Sequence, residues 1–437
     1  PRGSMGICRS HGRFQFCSLV LLEFFSGFAW AVQRPQGFFV VLLEQHGFSG
    51  TSLGVLSALC LLTPTLTGPG VGWLADHLAP ARRHRLFAAV AVLKSTLQMA
   101  AWPALGFAPN AGSYWWIFTF MCLQAACSTG GMLTEITLRF VGKEAYGKVR
   151  LWGGIGFAFG SFFTGLLAHA LGSYGVIFAE SMFIGVALAC TVFCLAHASH
   201  NEQLLTASSA GIDLTVEAPS SAPPSSNDLP NGSAGETTRP SSRELRRFLL
   251  TPRVMIILVT VIAMGFCEGI MQTYTYVRLR HLPHGTSTVM GLSAVCMIIS
   301  EVPFFYYAEP IVKRFGILPI LSFALFCAAL RQAWISAIWD AAWVLPGELL
   351  HGITFSIANA AVTLSVHDMV PPQLEATMQS IIGSCWVGVG QGSASWLGGL
   401  VLHRYGDQRL FQCSALLALL AALGPFSVAI CDKRPRG

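Results

Sequence analysis

The sequence predicts an all-α membrane protein, with twelve transmembrane helices in two pseudo-symmetric six-helix bundles. Three observations carry that prediction. Of the 437 residues, 53% are hydrophobic and 11% charged, against about 45–50% and about 25% in an average soluble domain; mean hydropathy is +0.58. Apolar stretches of about 20 or more residues recur between short polar breaks, each long enough to cross a bilayer as a helix. A stretch in the second half repeats one in the first at a constant offset. These features exclude a soluble enzyme, a disordered chain and a nucleic-acid-binding domain. The formal net charge of +6 then records which way the loops face rather than affinity for an acidic partner.

Residues 1–4, PRGS, read as the scar of a cleaved tag. Met5 to Ser10 fit a short N-myristoylation pattern. The N-terminal bundle is expected over residues 5–198, with spans at about 15–43, 50–75, 85–107, 114–140, 148–171 and 174–197. The first is overlong and contains Arg34-Pro35, which predicts a kink or break there, because proline lacks the N–H that a helix needs. Residues 199–247 are rich in Ser, Pro, Thr and Asn and read as a disordered cytosolic linker. The C-terminal bundle follows over 248–437, with spans at about 252–280, 286–314, 317–338, 342–368, 374–404 and 408–431. The 13 cysteines sit mostly singly in apolar runs and read as small core residues. No metal site and no cofactor is expected.

Of the 27 Lys and Arg, 20 fall on the side of the N-terminus, five on the opposite side and two, Lys94 and Arg331, inside spans. The positive-inside rule therefore puts both termini in the cytosol. The expected partners are the lipid bilayer, a small-molecule solute and protons, with no nucleic acid. The chain is read as a monomer, with the plasma membrane favoured over an organelle membrane.

The repeat aligns span five with span eleven: Trp152 with Trp386, Gly154 with Gly388, Gly156 with Gly390, Ser161 with Ser395, Gly165 with Gly399, Leu166 with Leu400 and His169 with His403. Glycines at this density let helix backbones approach closely. After span two, Gly72-Trp73-Leu74-Ala75-Asp76 leads into a basic loop with Arg82 and Arg83. An acid at a helix end beside such a loop can latch neighbouring helices through charge-assisted hydrogen bonds.

Charges inside the spans are costly, at least about 2.5–3.5 kcal/mol for Asp, Lys or Arg at mid-membrane, so each is a functional candidate. They are Glu23, Lys94, Glu268, Glu301, Arg331, Glu348 and His351, with Glu135 and Arg150 near the cytosolic ends of spans four and five. Glu348 and His351 lie on one helix face, as do Glu268 and Gln272, and as do Lys94 and Gln98. Lys94 is expected to meet either an anionic substrate or Glu23.

The loop after span two resembles the signature loop of the major facilitator superfamily, G-x-L-A-D followed by a basic cluster. Ala308-Glu309-Pro310 to Lys313-Arg314-Phe315-Gly316 is a degenerate second copy. Tyr146 to Phe157, Ser300-Glu301-Val302-Pro303 and Glu348 to Phe355 are similar to the lactose-permease and nucleoside-symporter branch. The resemblance implies the major facilitator fold, alternating access and, usually, proton-coupled uptake. It implies proton-coupling roles for His351 and Arg331. Glu348 stands where the permease has a lysine, and Thr354 where it has its acidic proton carrier. The carrier here must then be Glu348, Glu301 or Glu268, and Glu301 paired with Arg331 is favoured, with Glu348 and His351 as a relay. Glu135 and Arg150 match the acid–arginine pair that holds sugar hydroxyls, and Phe157 replaces the sugar-stacking Trp. Substrate contacts are expected from Glu23, Lys94, Glu135, Arg150, Phe157 and Gln272. The expected function is secondary transport of a small polar organic solute, sugar or nucleoside foremost. The alternatives are a proton-independent facilitator or exporter, and a non-transporting receptor of the same fold.

Overall fold

The computed structural model describes residues 2–34, 36–76, 78, 80–106, 111–127, 129–209, 249–369 and 375–432. Its helices are α1 (Arg2–Gln33), α2 (Phe38–Gln45), α3 (Gly50–Asp76), α4 (Pro80–Ala101), α5 (Ala111–Ala126), α6 (Gly130–Leu171) and α7 (Val176–Ser209) before the linker. After it come α8 (Pro252–Arg280), α9 (Ser287–Tyr306), α10 (Ala308–Phe315), α11 (Ile317–Ala337), α12 (Val344–Glu348), α13 (Ala358–Met369), α14 (Glu375–Gly383) and α15 (Gly392–Asp432). The described residues contain no β-strand. Large apolar side chains such as Leu66, Phe183, Phe323 and Leu420 stay exposed, as lipid-facing positions do when acyl chains replace a protein core.

Nine stretches among the described residues are long and apolar enough to cross a membrane. The last runs over residues 378–428, 51 residues, far more than the roughly 20 one crossing needs. Gly406, at φ 81° and ψ 173°, breaks it into two helices. Expected spans four and ten are not single long regular helices: α5 ends at Ala126 and α6 begins at Gly130, and π-helical turns occupy Gly352–Ile357. α6 cannot be one straight rod either. Thr137 and Arg150 both bond Glu23, although thirteen residues along a straight helix cover about 20 Å.

The chain does break where Arg34-Pro35 predicted it. α1 ends at Gln33 and α2 begins at Phe38. The linker expected from residue 199 begins later, because α7 continues helical to Ser209; residues 210–248 lie outside the described residues.

Glycines set the packing. A Cβ at Gly156 would meet the Phe24 carbonyl oxygen at 1.9 Å, so α1 and α6 touch backbone to backbone. A Cβ at Gly265 would meet the Trp386 carbonyl oxygen at 2.2 Å, which makes the same kind of contact between α8 and the π-helical turns Ser384–Gln391. The repeated pair Gly165 and Gly399 does corresponding work across the middle of the molecule. Gly165 lies against Ser287 and Gly291 of α9, and Gly399 against Gly50 and Gly54 of α3. This repeated pair thus sits where helices before and after the linker touch.

Candidate functional site

A cavity lies between the two sets of helices. Trp30, Arg34 and Phe157 line it from before the linker, and Gln272, Arg331 and Glu348 from after it. One end of the molecule is closed below it. Glu44 pairs with Arg280 at 3.1 Å and with His281 at 3.2 Å, and His281 also reaches Asp407 at 2.7 Å. Nearer the cavity, Gln36 donates to Thr273 (3.2 Å) and the Gly37 N–H to the Gln272 carbonyl (3.2 Å).

The wall after the linker holds a buried charge cluster. Arg331, on α11, donates to the Glu348 carboxylate and stands 3.7 Å from Glu268 on α8. Its Nη1 also meets His351 Nδ1 at 2.9 Å. His351 Nε2 lies 2.9 Å from Glu301 Oε1, and Gln272 donates to Glu268 at 2.7 Å. A guanidinium nitrogen only donates, so in this arrangement Nδ1 accepts from Arg331 while Nε2 faces the Glu301 carboxylate. The side chains of Arg331, Glu348 and His351 are each no more than 3% exposed.

The local backbone sets this geometry. Gly352 packs directly on α9: a Cβ there would meet the Ser300 carbonyl oxygen at 2.2 Å, and its N–H bonds the Ser300 hydroxyl at 3.0 Å. That approach brings Glu301, next in the chain, against His351. π-Helical turns begin at Gly352, a feature that often marks functional sites. His351 stacks on Phe355 with centroids 5.4 Å apart, which fixes the ring plane.

The pairing differs from the expected one. Glu301 bonds His351 and not Arg331, which takes Glu348 as its main partner. The reason is reach: Gly352 docks α9 against the helix that carries His351, while Arg331 projects from α11 toward Glu348. The structure does bring Glu268, Glu301, Arg331, Glu348 and His351 into one cluster, with Gln272 at its edge.

On the opposite wall, Glu23 is fully buried and accepts from Thr137 (2.8 Å) and Arg150 (3.1 Å). Arg150 therefore pairs with Glu23; the side chain of Glu135, its expected partner, lies outside the described residues. Lys94 is half-buried and makes no ion pair among the described residues; Glu23 pairs with Arg150 instead. Gln98 does not join Lys94 toward a substrate. It donates to the Val32 carbonyl (3.0 Å), and Gln124 donates to the Gln33 carbonyl (2.8 Å). Those two carbonyls end α1 and have no helical partner, which at membrane depth must be satisfied. Of the signature loop, the side chains of Gly72 and Asp76 lie outside the described residues. Arg82 is exposed, and Arg83 donates to the Leu78 carbonyl at 2.7 Å, tying the loop to the start of α4.

Sequence reasoning missed Arg34, counted with the loops although it falls inside the first apolar run, and Glu180, which is buried and bonded by Thr164 at 2.7 Å. It also missed the closing contact at Glu44, His281 and Asp407, because residues that far apart show no spacing. For Arg34, the adjoining proline was the available signal.

Residues 18–413 match the model of the MFS_1 like family. The maltose permease of Geobacillus stearothermophilus is 25% identical over 370 residues, 84% of this chain and 82% of that protein. The human major facilitator superfamily domain-containing protein 6-like is 25% identical over 175 residues, so that match spans 39% of this chain and only 30% of the human protein. Among solved structures, the nucleoside transporter NupG superposes with a TM-score of 0.68 at 15% identity, covering 94% of this chain and 98% of that one. A POT family transporter in complex with 5-aminolevulinic acid gives 0.65 at 10% identity, covering 96% of both. These two share the fold. The chain belongs to the MFS_1 like family and is a multi-pass membrane transporter of the major facilitator fold.

Proposed function

We propose that the chain is a proton-coupled symporter of a small polar organic solute, of the sugar or nucleoside class foremost, working by alternating access around the cavity. The observation that carries this reading is the buried cluster, in which three acids share one arginine and one histidine. The relatives include a maltose permease and a nucleoside transporter, which supports the solute class. Glu301 is the proton carrier. It is the most accessible acid of the cluster, with 13% of its side chain exposed, and it is joined to Arg331 only through His351. Protonating Glu301 removes the charge that the His351 N–H faces. The histidine is then free to re-pair, and the hold of Arg331 on Glu348 and Glu268 changes with it. That gives the loaded and empty carriers different preferred conformations.

With both termini cytosolic, the end closed by Glu44, Arg280 and His281 faces outward, and the chain stands in a state closed to the outside. The chain acts as a monomer in the plasma membrane, with the solute touching Phe157, Gln272 and Lys94, and with Arg150 and Glu23 as a supporting pair. In proteoliposomes of right-side-out orientation at constant voltage, acidifying the outside should raise uptake, and Glu301→Gln should abolish concentrative uptake while solute exchange survives. Uptake indifferent to the pH gradient would instead identify a facilitator.

A further inference from the structure

The first span is broken where it meets the cavity. Gly37, between α1 and α2, is left-handed at φ 58°, and Gly37 and Phe38, the N-terminal edge of α2, line the cavity beside Arg34. The guanidinium of Arg34 lies 3.9 Å from the Trp30 ring. Its other polar partner among the described residues is the Gln36 amide oxygen, at 3.5 Å. Lys94 stands within electrostatic reach of Arg34. Neither makes an ion pair among the described residues. The cavity's acids are on the far wall, engaged by Arg331, His351 and Gln272. Arg34 thus lines the cavity with no carboxylate within 4 Å, and the acid that faces it electrostatically is the more distant Glu268 on the far wall.

Charge in the membrane core is kept where it meets a partner or a pathway. A planar guanidinium matches a carboxylate or phosphate with two parallel hydrogen bonds. We infer that the break at Arg34–Gly37 is a subsite for an acidic group of the solute, a carboxylate or a phosphate. Arg34 holds it, and Lys94 supplies supporting charge. The inference rests on the transport reading of the cavity and narrows its solute to an acidic member of the polar class. Trp30 keeps the guanidinium aimed into the cavity, and Phe157 offers an apolar face to the rest of the solute.

The full chain in nanodiscs, wild type against Arg34→Gln and Arg34→Lys, tests this with two measurements. Without ligand, Arg34→Gln should melt at the same or a higher temperature, because it removes a charge that has no carboxylate within 4 Å and faces only the more distant Glu268. A lower melting temperature would mean that Arg34 is structural and would overturn the inference. Ligand binding is then followed by thermal shift with matched pairs, D-glucuronate against D-glucose and uridine monophosphate against uridine. At least one acidic member should bind at least tenfold more tightly than its neutral partner, and which pair responds separates carboxylate from phosphate. Arg34→Gln should erase that preference, and Arg34→Lys should keep part of it. No acidic preference in the wild type, or a preference that survives in Arg34→Gln, overturns the subsite. Uptake of the bound acid into proteoliposomes is scored separately: binding without flux would reject transport and leave the subsite standing.

Discussion

Arg331 faces two carboxylates and a histidine nitrogen, and all of them are buried. Removing one partner of a buried ion pair leaves a charge with neither water nor counter-charge, at a cost of about 3–5 kcal/mol, whereas removing both is far milder. Arg331→Gln should therefore lower stability by about that amount, and adding Glu348→Gln should recover much of it, read as melting temperatures in detergent. A single substitution within about 1 kcal/mol of wild type would show that the cluster does not hold these helices together. At this scale the sequence was informative about membership. A charge inside an apolar run stands out, and Glu268, Glu301, Arg331, Glu348 and His351 were all legible that way. Which acid meets which base was not legible, because it depends on how α9 and α11 are docked, as the pairing of Glu301 with His351 shows.

The helices themselves are shaped by a few glycines and by two places where regular winding fails. Gly156 and Gly352 sit where backbones touch, and a side chain has no room at either. Gly156→Ala should destabilise the chain by about 1–3 kcal/mol through overpacking of α1 on α6. Gly70→Ala, where nothing lies within 4 Å of the added carbon, should be neutral or stabilising by up to about 1 kcal/mol, since alanine suits a helix better. Equal melting temperatures for the two variants would argue against the backbone contact. The repeat between spans five and eleven was visible as identities. Its meaning came from the contacts, where Gly165 and Gly399 each meet the opposite set of helices. Expected spans four and ten were legible as apolar runs, but their interruptions were not. A π-helical turn inserts a residue without changing hydrophobic periodicity enough to show.

For the molecule as a whole, the closed end depends on charge. His281, just beyond the end of α8, is bonded first by Asp407 and then by Glu44, and those carboxylates raise it from 6.5 to about 9. A histidine whose folded value is raised contributes its full stability below the unfolded value and loses it as pH climbs through the folded one. The ion pairs of Glu44 with Arg280 and of Asp407 with Arg278 persist across that range, so the change belongs to His281. The closed end should be held most firmly below about pH 6.5 and loosen through about pH 9. His281→Gln should melt below wild type at about pH 6 and converge with it at about pH 10. A constant offset between the two would sink this account.

Composition and the lengths of the apolar runs determined by themselves that this chain is an all-helical membrane protein, and charges inside those runs pointed to the cluster around Arg331. These are properties of the solvent each residue meets, and they can be read locally. Only the tertiary structure decided that Glu301 answers to His351, that Gln98 and Gln124 cap a broken helix, and that Arg34 lines a cavity with no carboxylate within 4 Å. Each of these is a distance between residues remote in the chain, and such distances follow from how helices dock through glycine contacts that spacing alone does not encode.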